Sequence, residues 1–191
     1  EEEAVLAAFD RVRDVVPAAR LVLAPRRPER FAEVAASLRA RGAEFVRRSE
    51  LAECAPWSTS ILLLDSLGEL AALYPGARAA FVGGTLVPVG GHNVLEPAAA
   101  GVPVVFGPHT EHTHAAARRL IAAGGAVEVG DPAALADALL AWFTAPEEAP
   151  AVSREALDQL ALVGTDRVDQ TADAARALGP SPLGAAGMAA R

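Results

Sequence analysis

Between Phe81 and Pro97 the chain reads Phe81-Val82-Gly83-Gly84-Thr85-Leu86-Val87-Pro88-Val89-Gly90-Gly91-His92-Asn93-Val94-Leu95-Glu96-Pro97, and few folds have a place for such a stretch. The apolar run from Ala79 to Val82 has the character of a strand buried on both faces of a parallel sheet. Gly83 and Gly84 end it, and Gly90 and Gly91 repeat the device. Residues without a Cβ let the backbone turn sharply or let a ligand approach the main chain. Asn93 suits the cap of a following helix, and Glu96 falls in that helix's first turn. A strand, a glycine loop and a helix start gather several main-chain N–H groups and the positive end of a helix at one point. That is a place for an anion, most often a phosphate. Gly84, Thr85, Gly90, Gly91, His92 and Asn93 are the candidates for this cradle, and Glu96 is placed to accept hydrogen bonds from the hydroxyl pair of a sugar. The plainer alternative is a strand-to-helix connection in which Glu96 closes a capping box.

The rest of the chain supplies a setting for that loop. Val5, Leu6, Phe9, Val12 and Val16 recur at helical spacing directly after Glu1-Glu2-Glu3. Arg20 to Ala24 reads as a strand, and Phe31, Val34, Ala35 and Leu38 mark the buried face of the next helix, closed by Gly42. Glu44–Val46 and Ile61–Leu64 are further short strands, the second followed by a helix from Glu69 to Tyr74. Val102–Phe106, a helix over Ala115–Ala123, an edge strand over Ala126–Val129 and a helix over Ala133–Phe143 continue the alternation. Strands and helices spaced in this way predict an α/β fold, a Rossmann-like doubly wound parallel sheet. Two closing helices are expected over residues 153–163 and 165–178, and the Gly-, Pro- and Ala-rich stretch 179–191 is expected to be disordered. A parallel α/β domain normally leads its first helix with a strand, and none is present, so the chain reads as a fragment that begins just after its first strand.

Charge and composition exclude several classes. With 24 acidic residues against 17 basic ones, the net charge of −7 gives no support to nucleic-acid binding. No apolar run approaches the length of a membrane span. The single Cys54 excludes an internal disulfide. His109, His112 and His114 invite a metal, but no second carboxylate or thiol joins Glu111 beside them, and no metal is expected. Arg26, Arg27 and Arg30 follow the strand ending at Ala24, where open α/β sheets put their ligands. Arg26 either reaches a phosphate or base by charge-assisted hydrogen bonds or belongs, with Arg27 and Arg30, to a solvated face. Asp65 or Ser66 could serve as a helix cap, and Trp57 as packing.

The run G-G-T-x4-G-G-H-N-x2-E-P, followed by Gly101-Val102-Pro103-Val104-Val105-Phe106-Gly107-Pro108-His109-Thr110, resembles the donor-binding domain of bacterial 3-deoxy-D-manno-octulosonic acid (Kdo) transferases. Matching segments lie upstream in the same order, at Leu23–Phe31, Val46–Ser49 and Leu64–Leu70. The resemblance implies one half of a GT-B glycosyltransferase, with residues 1–178 as the nucleotide-sugar donor domain. It implies CMP-Kdo as donor substrate, no cofactor, and a lipid A precursor as acceptor. It places the backbone of Ser66, Leu67 and Gly68, with Arg26, beside the nucleotide base. It also implies that the membrane anchor, the acceptor domain and the catalytic carboxylate that acts as general base lie outside this chain. The enzyme then works at the cytoplasmic face of the bacterial inner membrane in lipopolysaccharide biosynthesis. Two alternatives stay open at this point: a GT-B donor domain for another nucleotide sugar such as a UDP-sugar, and a Rossmann-like module that binds without catalysis.

Overall fold

A computed structural model describes residues 1–52 and 55–151 and the backbone of Gly187–Ala190. The chain alternates α1 (Glu2–Val15), β1 (Arg20–Leu23), α2 (Phe31–Ala40), β2 (Phe45–Arg47), β3 (Ile61–Leu63), α3 (Leu70–Leu73) and β4 (Ala77–Val82). It continues through α4 (Leu95–Ala99), β5 (Val104–Phe106), α5 (His114–Ala122), β6 (Ala126–Glu128) and α6 (Pro132–Thr144), with β7 (Gly187–Ala190) described separately. The strands form one sheet in the order β2-β3-β1-β7-β4-β5-β6, and every pairing is parallel.

Successive residues of a strand point to opposite faces, and the two cores follow that rule. Leu21, Leu23, Phe81 and Val105 pack on one face with Val5, Leu6, Phe9 and Val12 of α1 and Leu135, Leu139, Trp142 and Phe143 of α6. Val82, Val104 and Phe106 turn to the other face, against Val94, Ala117 and Leu120. There Val22, Leu62 and Leu64 pack with Trp57 and Leu73. Helices cover both faces, so the sheet is doubly wound as the alternation predicts. α6 starts where its sequence says it should: the Asp131 carboxylate accepts from the N–H groups of Ala133 and Ala134, both at 2.9 Å, and Pro132 needs no partner for a missing N–H.

The described part of the stretch 179–191 corrects the expectation of disorder. Gly187–Ala190 form β7 at the middle of the sheet, paired with β1 on one side and β4 on the other. Glycine and alanine carry little strand preference of their own, so nothing in Gly187-Met188-Ala189-Ala190 announces a strand. The conformation comes from the neighbours, since β1 and β4 both present N–H and C=O groups that a buried sheet must pair. The helices expected over 153–163 and 165–178, and with them the boundary at 178, lie outside the described residues. Neither Asp65 nor Ser66 caps a helix: α3 begins after Glu69. The Asp65 carboxylate instead accepts from the Ser49 N–H at 2.9 Å, the Ser49 hydroxyl at 2.6 Å and Arg47 Nε at 2.8 Å.

Candidate functional site

The carboxyl ends of β1, β3 and β4 meet along one edge of the sheet, and two adjoining cavities open there. The larger, about 550 Å³, lies between the start of α1 and the loop after β4, and its lining includes Glu1, Arg26, Arg27, Gly84, Val89 and His92. The smaller, about 240 Å³, is lined by Leu64, Ser66, Leu67, Gly68 and Glu96 among others. Ala24, Pro25 and Arg26 line both. Glu96 and Gly84 therefore stand on the same edge of the sheet, on either side of Arg26. Thr85, Gly90, Gly91 and Asn93 line neither cavity.

The loop from Gly83 to Val94 is held by its own hydrogen bonds. The Gly91 N–H donates to the Gly84 carbonyl at 2.7 Å and the His92 N–H to the Gly83 carbonyl at 3.2 Å. Those two amides, read from the sequence as part of an anion cradle, close the loop on itself instead. Gly84, Gly90 and Gly91 all have φ between 71 and 95°, the left-handed region that favours glycine. A Cβ on Gly91 would lie 2.9 Å from the His109 carbonyl oxygen, and one on Gly90 would run into the His112 ring. Asn93 is not the cap expected of it: the N-cap of α4 is Val94, which has no side-chain cap bond, and Asn93 Oδ1 accepts from the Leu95 N–H at 3.1 Å in a local turn one residue earlier. Asn93 Nδ2 also donates to Glu96 Oε1 at 3.3 Å, so the Glu96 carboxylate is steadied by the residue that turns the chain into its helix.

Thr85 is fully buried and works as a knot. Its hydroxyl donates to the Val82 carbonyl at 2.6 Å and accepts from the Gly107 N–H at 2.8 Å, while its carbonyl accepts from the His109 N–H at 2.9 Å. These bonds tie the loop after β4 to the end of β5. Thr85→Val keeps the shape but strands a buried N–H and a buried carbonyl. The expected loss is about 1–3 kcal/mol of stability, read as a lower midpoint in urea with an unchanged slope. An unchanged midpoint would mean that the hydroxyl is dispensable.

With the threonine side chain turned inward, its main-chain N–H faces out beside those of Gly84 and Leu86. All three converge on one carboxylate, that of Glu1: Gly84 N–H at 2.5 Å to Oε2, Thr85 N–H at 3.0 Å and Leu86 N–H at 2.6 Å to Oε1. The nest holds an anion, and the anion is supplied by residue 1. Neither the Leu86 amide nor its Glu1 partner is marked in the sequence. No local pattern in the sequence signals a contact between positions 83 to 85 residues apart.

Of the arginines, Arg30 pairs with Glu2 at 2.7 Å and with Glu33 at 3.1 Å, and its role is structural. Arg26 and Arg27 are exposed, and their guanidinium groups form no ion pair or hydrogen bond among the described residues. The Ser66 hydroxyl is buried at the smaller cavity with no hydrogen-bond partner among the described residues. Trp57 is packing, as the sequence suggested, with Arg20 over its ring. Nowhere among the described residues do three His, Cys, Asp or Glu side chains group to hold a metal ion. His109 instead faces Glu111 at 3.5 Å. The Glu111 carboxyl titrates below its usual range, chiefly through its own main-chain N–H and then through His109 and His112.

Comparison with known proteins bears on the family and the fold. No family profile matches the chain. The 3-deoxy-D-manno-octulosonic acid transferase of Bordetella pertussis is 38% identical over 151 residues, 79% of this chain and 35% of that protein. The enzymes of the same name from Haemophilus influenzae and Aquifex aeolicus are 41% and 31% identical, over 70% and 78% of this chain and 31% and 40% of theirs. The chain thus spans roughly a third of the length of the curated relatives it matches. The crystal structure of the C-terminal CMP-Kdo binding domain of WaaA from Acinetobacter baumannii superposes with a TM-score of 0.60 at 24% identity, covering 88% of this chain and 98% of that one. The resemblance read from the glycine loop is borne out, and the fold is the Rossmann-like doubly wound half of a GT-B glycosyltransferase.

Proposed function

We propose that this chain is the donor-binding part of a Kdo transferase, and that the intact enzyme transfers Kdo from CMP-Kdo to a lipid A precursor in lipopolysaccharide assembly. One observation carries the reading to the residues: a nest of three main-chain N–H groups and a helix-borne carboxylate, Glu96, stand on either side of Arg26 at the centre of the sheet edge. In this reading the nucleoside occupies the smaller cavity, with its base against the backbone of Ser66, Leu67 and Gly68 and its ribose hydroxyls on Glu96. The phosphate lies between Arg26 and the nest, and the sugar acid fills the larger cavity. The donor is a substrate and no resident cofactor or metal is required.

The chemistry asked of these residues is electrostatic. Breaking the bond between the sugar's anomeric carbon and the phosphate oxygen leaves negative charge on CMP. Amides already aimed at that charge stabilise it without reorganising. The acceptor hydroxyl must also lose a proton to a base within hydrogen-bond reach. That carboxylate is assigned to an acceptor domain outside this chain, so this chain is expected to bind CMP and to transfer nothing. The intact enzyme is placed at the cytoplasmic face of the inner membrane. Among the described residues no helix is long and apolar enough to cross a membrane.

Calorimetric titration of the chain with CMP and with UMP tests the reading. CMP is expected to bind at least about tenfold more tightly, a difference of about 1.4 kcal/mol. Equal or preferred binding of UMP would move the site to another nucleotide sugar. Binding of neither would leave a Rossmann-like module without this donor role.

A further inference from the structure

The Glu1 carboxylate has no structural task that needs three N–H groups. α1 is packed through Val5, Leu6, Phe9 and Val12, and its first turn is already tied by the Glu2–Arg30 pair at 2.7 Å. Glu1 nevertheless spans from the end of that helix to the loop after β4 and uses both carboxylate oxygens there. Hydrogen bonds to an ionised acceptor are the short, strong kind, and a carboxylate offers two oxygens with the spacing and charge of two phosphate oxygens. Three N–H groups cannot serve both anions at once.

We propose that Glu1 is an internal stand-in for the donor's phosphate, and that it must leave the nest of Gly84, Thr85 and Leu86 before a nucleotide can enter. The inference rests on the donor-site reading above and adds to it a residue that sets the site's affinity and its selectivity for phosphate. A neutral ligand has nothing to offer the nest in exchange for the carboxylate. A nucleoside monophosphate, with about 1.5–2 negative charges at neutral pH, offers more charge than the single carboxylate it replaces. The released side chain has partners within reach of the same cavity. Arg26 and Arg27 line it with Glu1, and neither guanidinium has a hydrogen bond or ion pair among the described residues. The charged or titratable side chains lining the cavity beside the nest are thus Glu1 and Glu2 at the start of α1, Arg26, Arg27 and Arg30 after β1, and His92 from the loop itself. Within that set Glu2 and Arg30 pair with each other, which leaves Glu1 as the negative group free to exchange and Arg26 and Arg27 as the positive groups free to receive it.

The test is a titration of this chain, its Glu1→Gln form and its Glu1→Ala form with CMP and with cytidine, at one ionic strength. Circular dichroism confirms that each form is folded. Removing the charge is expected to tighten CMP binding about tenfold, or about 1.4 kcal/mol, with cytidine unchanged within twofold. The amide signals of Gly84, Thr85 and Leu86 supply a second readout. They should move when Glu1 is replaced, and in the unaltered chain they should move again, saturably, as CMP is added. Equal or weaker CMP binding by both variants would make Glu1 a latch and overturn the proposal, while leaving the donor site intact. Tighter binding of cytidine by the same factor would also overturn it, since the gain would then come from space and not from the nest. If no form binds CMP, the donor reading and this inference fall together.

Discussion

Gly107→Ala is expected to unfold the sheet edge and abolish nucleotide binding. A methyl group on Gly107 would lie 2.3 Å from the Thr85 carbonyl oxygen, 2.5 Å from its carbon and 2.7 Å from the Leu86 nitrogen. All three atoms are main chain, so no side chain can swing aside to make room. Relief requires the loop after β4 to lift off the end of β5. That movement breaks the Thr85 bonds to Gly107 and His109 and scatters the amides that hold an anion. Overpacking usually costs about 1–3 kcal/mol, and a collision confined to backbone belongs at or above the upper end. In a chain of this size each kcal/mol lowers the melting temperature by about 2–4 °C, so a drop of about 6–12 °C or more is expected. Thermal unfolding followed by a CMP titration checks both parts. A variant that melts within about 2 °C of the parent and binds CMP normally would mean that the loop is not seated on Gly107 as described.

Asp65→Asn is the second large effect, and it carries a pH signature. The Asp65 side chain is only 2% exposed, and its three partners, the Ser49 N–H, the Ser49 hydroxyl and the Arg47 guanidinium, all donate. An asparagine there turns one acceptor into a donor among donors and leaves Arg47 without its counter-charge. A buried hydrogen bond to a charged group contributes about 1.5–3 kcal/mol, and the loss at neutral pH is expected in that range. Burial pushes the Asp65 carboxyl up, but the Ser49 bonds and the Arg47 charge outweigh it and hold the group below the usual aspartate range. A carboxyl lowered in the folded state contributes stability in full above its unfolded value of about 4, and loses it as the pH falls through the lower folded value. The gap between parent and variant should therefore be constant from neutral pH down to about 4 and narrow below that. Urea midpoints at a series of pH values measure it. A gap that widened on acidification would have the wrong sign for this cause.

Much of this architecture is legible in the chain because burial leaves a periodic mark. Helix α1 shows Val5, Leu6, Phe9 and Val12 at helical spacing, and those are its large buried residues. The continuous run at Ile61–Leu63 is buried throughout, as a central strand should be. Ends move by a residue or two: β4 begins at Ala77 rather than Ala79, and α5 at His114 rather than Ala115. What stays hidden is set by distant partners. β7 has no pattern of its own and exists because β1 and β4 flank it.

The site divides along the same line. Paired glycines reveal that the loop must turn through left-handed conformations, and Gly84, Gly90 and Gly91 do. Spacing cannot reveal which amides the loop spends on itself. Gly91 and His92 are spent, Gly84 and Thr85 are not, and Leu86 joins them. Nor can it separate three neighbouring arginines, of which Arg30 has carboxylate partners and Arg26 and Arg27 have none among the described residues.

Strand β7 has a further consequence for how the two walls of the site are levelled. Ala190 is the register partner of Leu23 on one side and of Phe81 on the other. Leu23 leads to Arg26 and Phe81 leads to Gly84, so a single alanine acts as the common datum for the guanidinium and the amides to which the proposed function gives one phosphate. A slip of β7 by two residues against either neighbour alone would offset the walls by about 6.6 Å, more than the width of the group they share.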